Sequence, residues 1–153
     1  VDTTEAEWAS IVDTNLTGVW RVAQQASKAL IAAGQPGNIV NIASITAQQP
    51  SLMISGYAAS KAAVDHLTRN MAIELSRYGI RVNAIAPGYF KTAINDDYLA
   101  SEAGDRMRKR IAMRRFGDYS DLEGPLLLLA SDASAYMTGT TITVDGGHSL
   151  LPL

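Results

Sequence analysis

The amino-acid sequence predicts an α/β fold, in which short parallel strands alternate with longer amphipathic helices. Three apolar runs, at residues 38–44, 80–86 and 140–147, have the β-branched character of buried strands. The segments between them are long enough for helices that connect parallel strands by right-handed crossovers. The chain has 153 residues, 47% of them hydrophobic and 18% charged, which suits one globular unit with its own core.

The first predicted helix runs from Glu5 to about Ala33, where apolar residues recur every three or four positions. Asp2 and Glu5 have the spacing of a capping pair at its start. Asn15 interrupts the apolar row. It lies either on the rim of the buried face or in a polar site, where its amide must find hydrogen-bonding partners.

The first strand and the second helix follow. Residues 38–44 predict a strand that ends at Ser44, and after a loop a helix begins near Tyr57 and stops before Gly79, a typical C-terminal glycine. Parallel sheets bind their ligands beyond the carboxyl ends of the strands. Ser44 and the first turn of this helix are therefore expected to border one crevice.

The second strand, residues 80–86, is ended by Pro87 and Gly88, so this turn is expected at the same edge of the sheet as Ser44. The remaining chain is predicted to contain, in order, a helix from about Ser101 to Arg115, a helix opened by a capping box of Ser120 and Glu123, and the third strand.

The composition excludes several classes of function. The chain has no cysteine, so disulfides, thiolate nucleophiles and cysteine-based metal centres are ruled out. Its 13 basic and 15 acidic residues give a net charge of −2, with no general attraction to nucleic acid or anionic membranes. No apolar stretch approaches the ~18 residues of a membrane span, and no G-x-S-x-G motif supports a serine hydrolase. We expect a cytoplasmic enzyme or binding protein for a small molecule.

Two charged clusters have simpler interpretations than a binding site. The acidic residues between positions 96 and 105 lack the spacing of a metal-binding loop, so no metal site is predicted. The basic run Arg106–Arg115 accompanies an apolar row of Ala103, Met107 and Ile111, which favours a solvated or substrate-covering helix over a nucleic-acid patch. Its charges are compatible with an acidic substrate.

Tyr57 and Lys61 stand four residues apart, on one face of the second helix. A cation about 4 Å from a phenol, at an effective dielectric near ~20, favours the phenolate by roughly 4 kcal/mol. The helix N-terminus adds roughly 0.3–1 kcal/mol in the same direction. The pair can therefore act as a general acid/base. The pattern Y-x-x-x-K also occurs by chance in helices. The catalytic interpretation of Tyr57 and Lys61 is favoured because Ser44 can hydrogen-bond the same substrate oxygen.

These motifs resemble the short-chain dehydrogenase/reductase family. The resemblance rests on five stretches in the order and at the spacings of that family: Asn15–Gly18 (NLTG), Ser44, Tyr57–Lys61 (Y-x-x-x-K), Pro87–Thr92 (PGYFKT) and Asp145–Gly147 (DGG). It implies a Rossmann-like, doubly wound parallel sheet. Residues 1–153 would be the C-terminal part of one such domain, with its last three strands and their flanking helices.

The resemblance also implies a role for each site residue. Tyr57 would be the acid/base, Lys61 would favour its phenolate and hydrogen-bond the nicotinamide ribose, and Ser44 would orient the substrate oxygen. Asn15 would bend its helix and hold a water of a proton relay. The cofactor would be NAD or NADP, bound by Tyr57, Lys61, Pro87, Gly88, Phe90 and Thr92.

The sequence departs from the family in one respect. None of its 12 glycines forms the G-x-G of the phosphate-binding turn with which family members begin. We therefore expect residue 1 to follow the dinucleotide-binding strands of the family, and the strand near Asn38 to have an open edge. The 153 residues alone are expected to bind NAD(H) or NADP(H) very weakly and to be nearly inactive.

By resemblance the partners would be a small-molecule substrate and further subunits in a homotetramer, formed through the long helices and the last helix and strand. The substrate would be a small ketone, polyol, sugar acid or 3-oxoacyl compound. The alternative is a catalytically idle chain that serves as an oligomerisation or interaction module. The pocket would have these apolar walls: Ile45, Leu52, Met53, Tyr89, Phe90, Ile94, Tyr98 and Met113.

Overall fold

The structure, a computed structural model, describes residues 2–92 and 95–150. Three parallel strands, β1 (Gly37–Ile42), β2 (Ile80–Pro87) and β3 (Thr141–Val144), form one sheet in the order β1-β2-β3. The predicted α/β class and its parallel sheet are therefore confirmed. Within the described ranges no helix combines the length and the apolar character needed to cross a bilayer.

The amino-terminal helix is continuous over three segments: α1 (Glu5–Val12), a π-turn (Asp13–Thr17) and α2 (Gly18–Ala32). Its extent agrees with the prediction, and the π-turn includes Asn15, the residue that interrupts the apolar row. One extra residue in a turn shifts the faces of the helix, so α1 and α2 present their apolar residues in different directions.

The cap of this helix differs from the prediction. Thr4 is the N-cap, and its hydroxyl accepts a hydrogen bond of 3.2 Å from the backbone N–H of Glu7. The Glu7 carboxylate accepts one of 2.8 Å from the backbone N–H of Thr4. The pairing of Asp2 with Glu5 was wrong, because Thr4 and Glu7 form the reciprocal T-x-x-E capping box two positions later.

The central helix, α3 (Ser55–Leu75), begins two residues before Tyr57 and continues as a 3₁₀ turn over Ser76–Tyr78. Gly79 follows with a φ of 69°, in the left-handed region that favours glycine, as predicted. The next residue starts β2, so the glycine turns the chain directly from helix into strand.

The two faces of β2 meet different helices. Val82 and Ala84 are fully buried, and they pack with α2 and α3 through residues such as Ala23 and Val64. On the opposite face, Arg81 donates to the carbonyl oxygens of residues 129 and 131 at 3.1 and 3.0 Å, where α6 (Ser120–Ala130) ends. Helices thus cover both faces of the sheet, as in a doubly wound fold.

The segment after β2 has a small core of its own. It contains α4 (Asp96–Ala100) and α5 (Glu102–Lys109), and we call residues 95–118 the lid. Its buried core consists of Leu99, Ile111 and Phe116, with Tyr89 and Met107 packed against it. The lid is therefore packed against the end of β2.

Two elements predicted after β2 end earlier than expected. The helix predicted from Ser101 to Arg115 ends at Lys109, because the chain then turns so that the Met113 N–H donates to the Gly146 carbonyl at 3.0 Å. The third strand ends at Val144, before two glycines with positive φ.

The predicted capping box of Ser120 and Glu123 is also wrong. Tyr119 is the N-cap of α6 and makes no side-chain capping bond. Instead, the Asp121 carboxylate accepts a hydrogen bond of 2.9 Å from the Asp118 N–H and binds Arg115 at 2.6 Å. A carboxylate in the first turn thus stabilises the start of the helix.

Candidate active site

A cleft of about 450 Å³ opens beside the carboxyl ends of β1 and β2. We call it the cleft. Its walls contain most of the residues that the sequence assigns to catalysis and cofactor binding: Ser44, Tyr57, Pro87, Gly88, Phe90 and Thr92. The elements therefore bring these residues together, as the strand-end argument predicted.

Tyr57 and Lys61 share one face in the first turns of α3. The Lys61 Nζ lies 5.7 Å from the centroid of the Tyr57 ring and donates a hydrogen bond of 2.8 Å to the carbonyl of Ile42, the last residue of β1. Burial lowers the pKa of Lys61. The ammonium is thus held between the strand end and the phenol, within the range of a cation–π contact.

Ser44 is buried and forms the N-cap of a single 3₁₀ turn, Ile45–Ala47. Its Oγ accepts a hydrogen bond of 3.2 Å from the Thr46 N–H and lies 2.9 Å from the Thr46 hydroxyl. When the Thr46 hydroxyl donates, Ser44 still has its own proton for a ligand oxygen in the cleft.

Asn15 does not line the cleft and contacts α3 at Ser60. Its Nδ2 donates to the Ser60 hydroxyl at 3.3 Å, and that hydroxyl donates to the Tyr57 carbonyl at 2.7 Å. Asn15 is half-buried, as on the rim of the face, and its amide has the hydrogen-bonding partner that a polar site requires. Its contact with the site runs through the backbone of Tyr57, and its role in a proton relay stays a prediction.

The turn Pro87–Gly88 depends on the DGG motif. A Cβ on Gly88 would lie 2.7 Å from the Cβ of Asp145, so only glycine fits this close approach. The Asp145 carboxylate accepts hydrogen bonds of 2.8 Å from the N–H groups of Gly147 and Ser149. Burial raises the pKa of Asp145, but the bonds from Ser149 and Gly147 leave it below its usual value. The third strand therefore buttresses this wall of the cleft.

The sequence interpretation missed Asn95. Its side-chain oxygen accepts a hydrogen bond of 2.8 Å from the Thr92 N–H, and its Nδ2 donates to the Phe90 carbonyl at 2.9 Å. Asn95 thus holds the loop that forms one wall of the cleft. The available signal was the T-x-x-N spacing, since asparagine side chains often close turns on a nearby backbone.

A second cavity of about 470 Å³, which we call the chamber, adjoins the cleft. The two share Ile45, Thr46 and Tyr89. Of the predicted apolar walls, Met53, Tyr98 and Met113 are exposed and line neither cavity, and Ile94 lies outside the described residues. The lining of the chamber is Ile45, Thr46, Gln49, Pro50, Ser51, Leu52, Tyr89, Met107, Arg110 and His148.

A parallel sheet with a serine, a tyrosine and a lysine at its carboxyl edge has the architecture of a Rossmann-type oxidoreductase. A family model described as Enoyl-(Acyl carrier protein) reductase matches residues 1–149. The chain belongs to the short-chain dehydrogenase/reductase family.

Several characterised proteins are similar to it. The 2-dehydro-3-deoxy-D-gluconate 5-dehydrogenase of Escherichia coli is 42% identical over 144 residues, which cover 94% of this chain and 57% of that protein. The human (3R)-3-hydroxyacyl-CoA dehydrogenase is 38% identical over 143 residues, or 94% of this chain and 54% of that protein. The chain thus spans somewhat more than half the length of these relatives.

The solved structures agree. The crystal structure of a gluconate 5-dehydrogenase from Burkholderia cenocepacia, in complex with NADP and tartrate, superposes with a TM-score of 0.94 at 37% identity. The match covers 99% of this chain and 59% of that one. Since the similarity extends over nearly the whole chain, the described helices and strands share the fold of that enzyme.

Proposed function

We propose that the protein acts in the reversible oxidation of a secondary alcohol to a ketone, with NAD or NADP as the second substrate. The observation that carries this proposal is the position of Lys61, whose Nζ lies 5.7 Å from the Tyr57 ring in a helix that borders the same cleft as Ser44. A hydroxyl, a phenol and an ammonium at one strand edge are the groups that proton transfer at a carbinol oxygen requires.

The residues of this chain fit a nicotinamide ribose at the cleft. An ammonium has three N–H donors, and Lys61 uses one at the Ile42 carbonyl, so donors remain for ribose hydroxyls. Pro87 and Gly88 add a wall that carries little side-chain bulk. NADP is bound in the related gluconate 5-dehydrogenase, and NADH in a 4-hydroxyisoleucine dehydrogenase with a TM-score of 0.94 and 29% identity. Both support a nicotinamide cofactor.

The chain's own residues then have separate tasks. In the direction of oxidation, Ser44 donates a hydrogen bond to the substrate oxygen and orients it, while the Tyr57 phenolate takes the hydroxyl proton. The ammonium of Lys61 lies 5.7 Å from the centroid of the Tyr57 ring. The bound dinucleotide supplies the hydride acceptor, so the alcohol loses one proton and one hydride and becomes a ketone. Reduction reverses each transfer.

We propose a small polar substrate, in the range of a polyol, a sugar acid or a short oxoacid. The relatives are dehydrogenases that by name act on 2-dehydro-3-deoxy-D-gluconate and on (3R)-3-hydroxyacyl-CoA. The cleft and the chamber, of about 450 and 470 Å³, suit a small molecule.

We also propose that the protein assembles as a homotetramer. Its cytoplasmic location remains a prediction. Support for assembly comes from large apolar side chains that are exposed in the single chain. One group, Trp8, Trp20 and Val22, lies on α1 and α2, and a second, Leu126, Leu127 and Leu128, lies on α6. Exposed apolar patches of this kind mark contacts between subunits.

The test of this function is a fusion protein. The chain is joined to the part of the Escherichia coli relative that the match leaves uncovered, and hydride transfer is followed by nicotinamide absorbance with polyols and sugar acids as substrates. We expect turnover that depends on both alcohol and dinucleotide. A fusion protein that binds dinucleotide and assembles, yet transfers no hydride to any of these substrates, would support the idle interaction module instead.

A further inference from the structure

The chamber contains one strongly charged group in otherwise apolar and neutral surroundings. Among the described residues that line it, Arg110 is the one with a formal charge. His148 is also in the wall, but burial, followed by the charge of Arg110, lowers its pKa, and the opposing effect of Asp145 is smaller. His148 is therefore neutral at pH 7, and Arg110 sets the charge of the chamber.

Arg110 has no acidic partner in the described part of the chain, unlike Arg106, Arg108 and Arg115. Arg106 binds Glu102 at 2.8 Å, and Arg108 binds Asp105 at 2.8 Å, both outside the chamber. Arg115, further along the lid, is paired with Asp121. No carboxylate of residues 2–92 or 95–150 lies within ion-pair distance of Arg110.

The position of Arg110 connects the chamber with the reacting groups. It follows α5 directly, where the lid core of Leu99, Ile111 and Phe116 holds the end of the helix in place. Tyr89 lines both cavities. Burial is the main cause of the raised pKa of its phenol, and the positive charge of Arg110 opposes that rise. A molecule that extends past Tyr89 therefore has Arg110 in the wall of one cavity and Ser44 and Tyr57 in the wall of the other.

We propose that Arg110 determines substrate specificity by pairing with the carboxylate of a small hydroxy acid or oxoacid, whose carbinol or carbonyl carbon lies at Ser44 and Tyr57. This inference rests on the proposed function and narrows its substrate class. A guanidinium is suited to this task because its planar N–H groups bind both oxygens of a carboxylate. Arg110 is exposed in the structure, so its guanidinium is accessible to a ligand that enters the chamber.

The test measures binding without turnover. Calorimetry on the fusion protein compares tartrate with threitol, which has the same carbon skeleton and the same two secondary hydroxyl groups but a primary alcohol in place of each carboxylate. Arg110→Gln is expected to weaken tartrate binding about tenfold or more, as for loss of a charge-assisted contact, with threitol binding unchanged. Arg110→Lys should retain part of the affinity, because it keeps the charge.

Arg106→Gln is the matched control, since it removes the same charge from α5, the helix that precedes Arg110, at a position outside the chamber. If Arg110→Gln leaves tartrate affinity unchanged, or if Arg106→Gln weakens it equally, the inference is wrong. The experiment distinguishes a failure of this inference from a failure of the proposed function. If tartrate binding depends on Arg110 but no hydride is transferred, the proposed dehydrogenase activity is refuted, whereas the proposed carboxylate site is retained. With turnover present, Arg110→Gln should raise KM for an acid substrate and leave kcat nearly unchanged.

Discussion

The ammonium of Lys61 is hydrogen-bonded to the sheet and at the same time lies beside the Tyr57 ring. Its ammonium is partly buried, and burial of a charge is costly unless the group is hydrogen-bonded. The Ile42 carbonyl, 2.8 Å away, compensates for part of that cost and fixes the side chain at the end of β1. The Nζ stays 5.7 Å from the Tyr57 ring, with two N–H donors left for a ligand. One residue thereby joins the sheet, the phenol and the proposed ribose site.

Gly88 provides the sharpest stability prediction at the residue scale. Gly88→Ala places a Cβ 2.7 Å from that of Asp145, and we expect a loss of about 1–3 kcal/mol in the free energy of unfolding, as for overpacking. Gly124→Ala in α6 is the control, because outside its chain neighbours and the backbone of its own helix nothing lies within 4 Å of the added methyl group. It should be neutral, or stabilising by up to about 1 kcal/mol. Urea denaturation that gives the two variants equal stability would contradict this packing.

The start of α6 leads to a prediction about pH at the element scale. Its first-turn residue Asp121 has a pKa of about 2, lowered chiefly by Arg115 and further by the Asp118 N–H. A carboxyl whose pKa is depressed in the folded state stabilises the protein above its unfolded pKa, and this contribution is lost as the pH falls through about 2. Wild type should therefore be more stable than Asp121→Asn near neutral pH, and the difference should vanish toward pH ~2.

Thermal unfolding of both proteins across this pH range checks that prediction. Asp132→Asn is the control, since no hydrogen bond or ion pair of its side chain occurs within residues 2–92 and 95–150. A stability difference between wild type and Asp121→Asn that does not change with pH would show that the carboxylate charge has no part in the cap.

The elements also show which features can be predicted from the sequence. Helix periodicity and the spacing of Tyr57 and Lys61 depend on residues that are close together in the sequence. The fold class and the position of this pair could therefore be predicted from the sequence alone. The end of α5 was predicted too late because it is set by a tertiary contact, the hydrogen bond from Met113 to Gly146. Arg110 was not singled out within its basic run because the chamber is formed by residues distant in sequence. Asn95 was missed although its partners lie only three and five residues away.

At the scale of the whole molecule, the sheet is open on the side of β1, which pairs only with β2 among the described strands. The described residues also contain no G-x-G phosphate-binding turn. We therefore predict that the 153-residue chain binds NADP only weakly, whereas the fusion protein binds it with micromolar or better affinity. Calorimetry on the two proteins tests this, and micromolar binding by the chain alone would refute it.

The central claim is that Tyr57, assisted by Lys61, transfers the proton at the substrate oxygen. The direct test is the kcat of the fusion protein with Tyr57→Phe, compared with Tyr136→Phe, which changes a fully exposed tyrosine away from the cleft. We predict that Tyr57→Phe lowers kcat by about 10²–10⁴-fold with little change in dinucleotide affinity, and that Tyr136→Phe has no effect. A Tyr57→Phe enzyme with undiminished kcat would contradict the account.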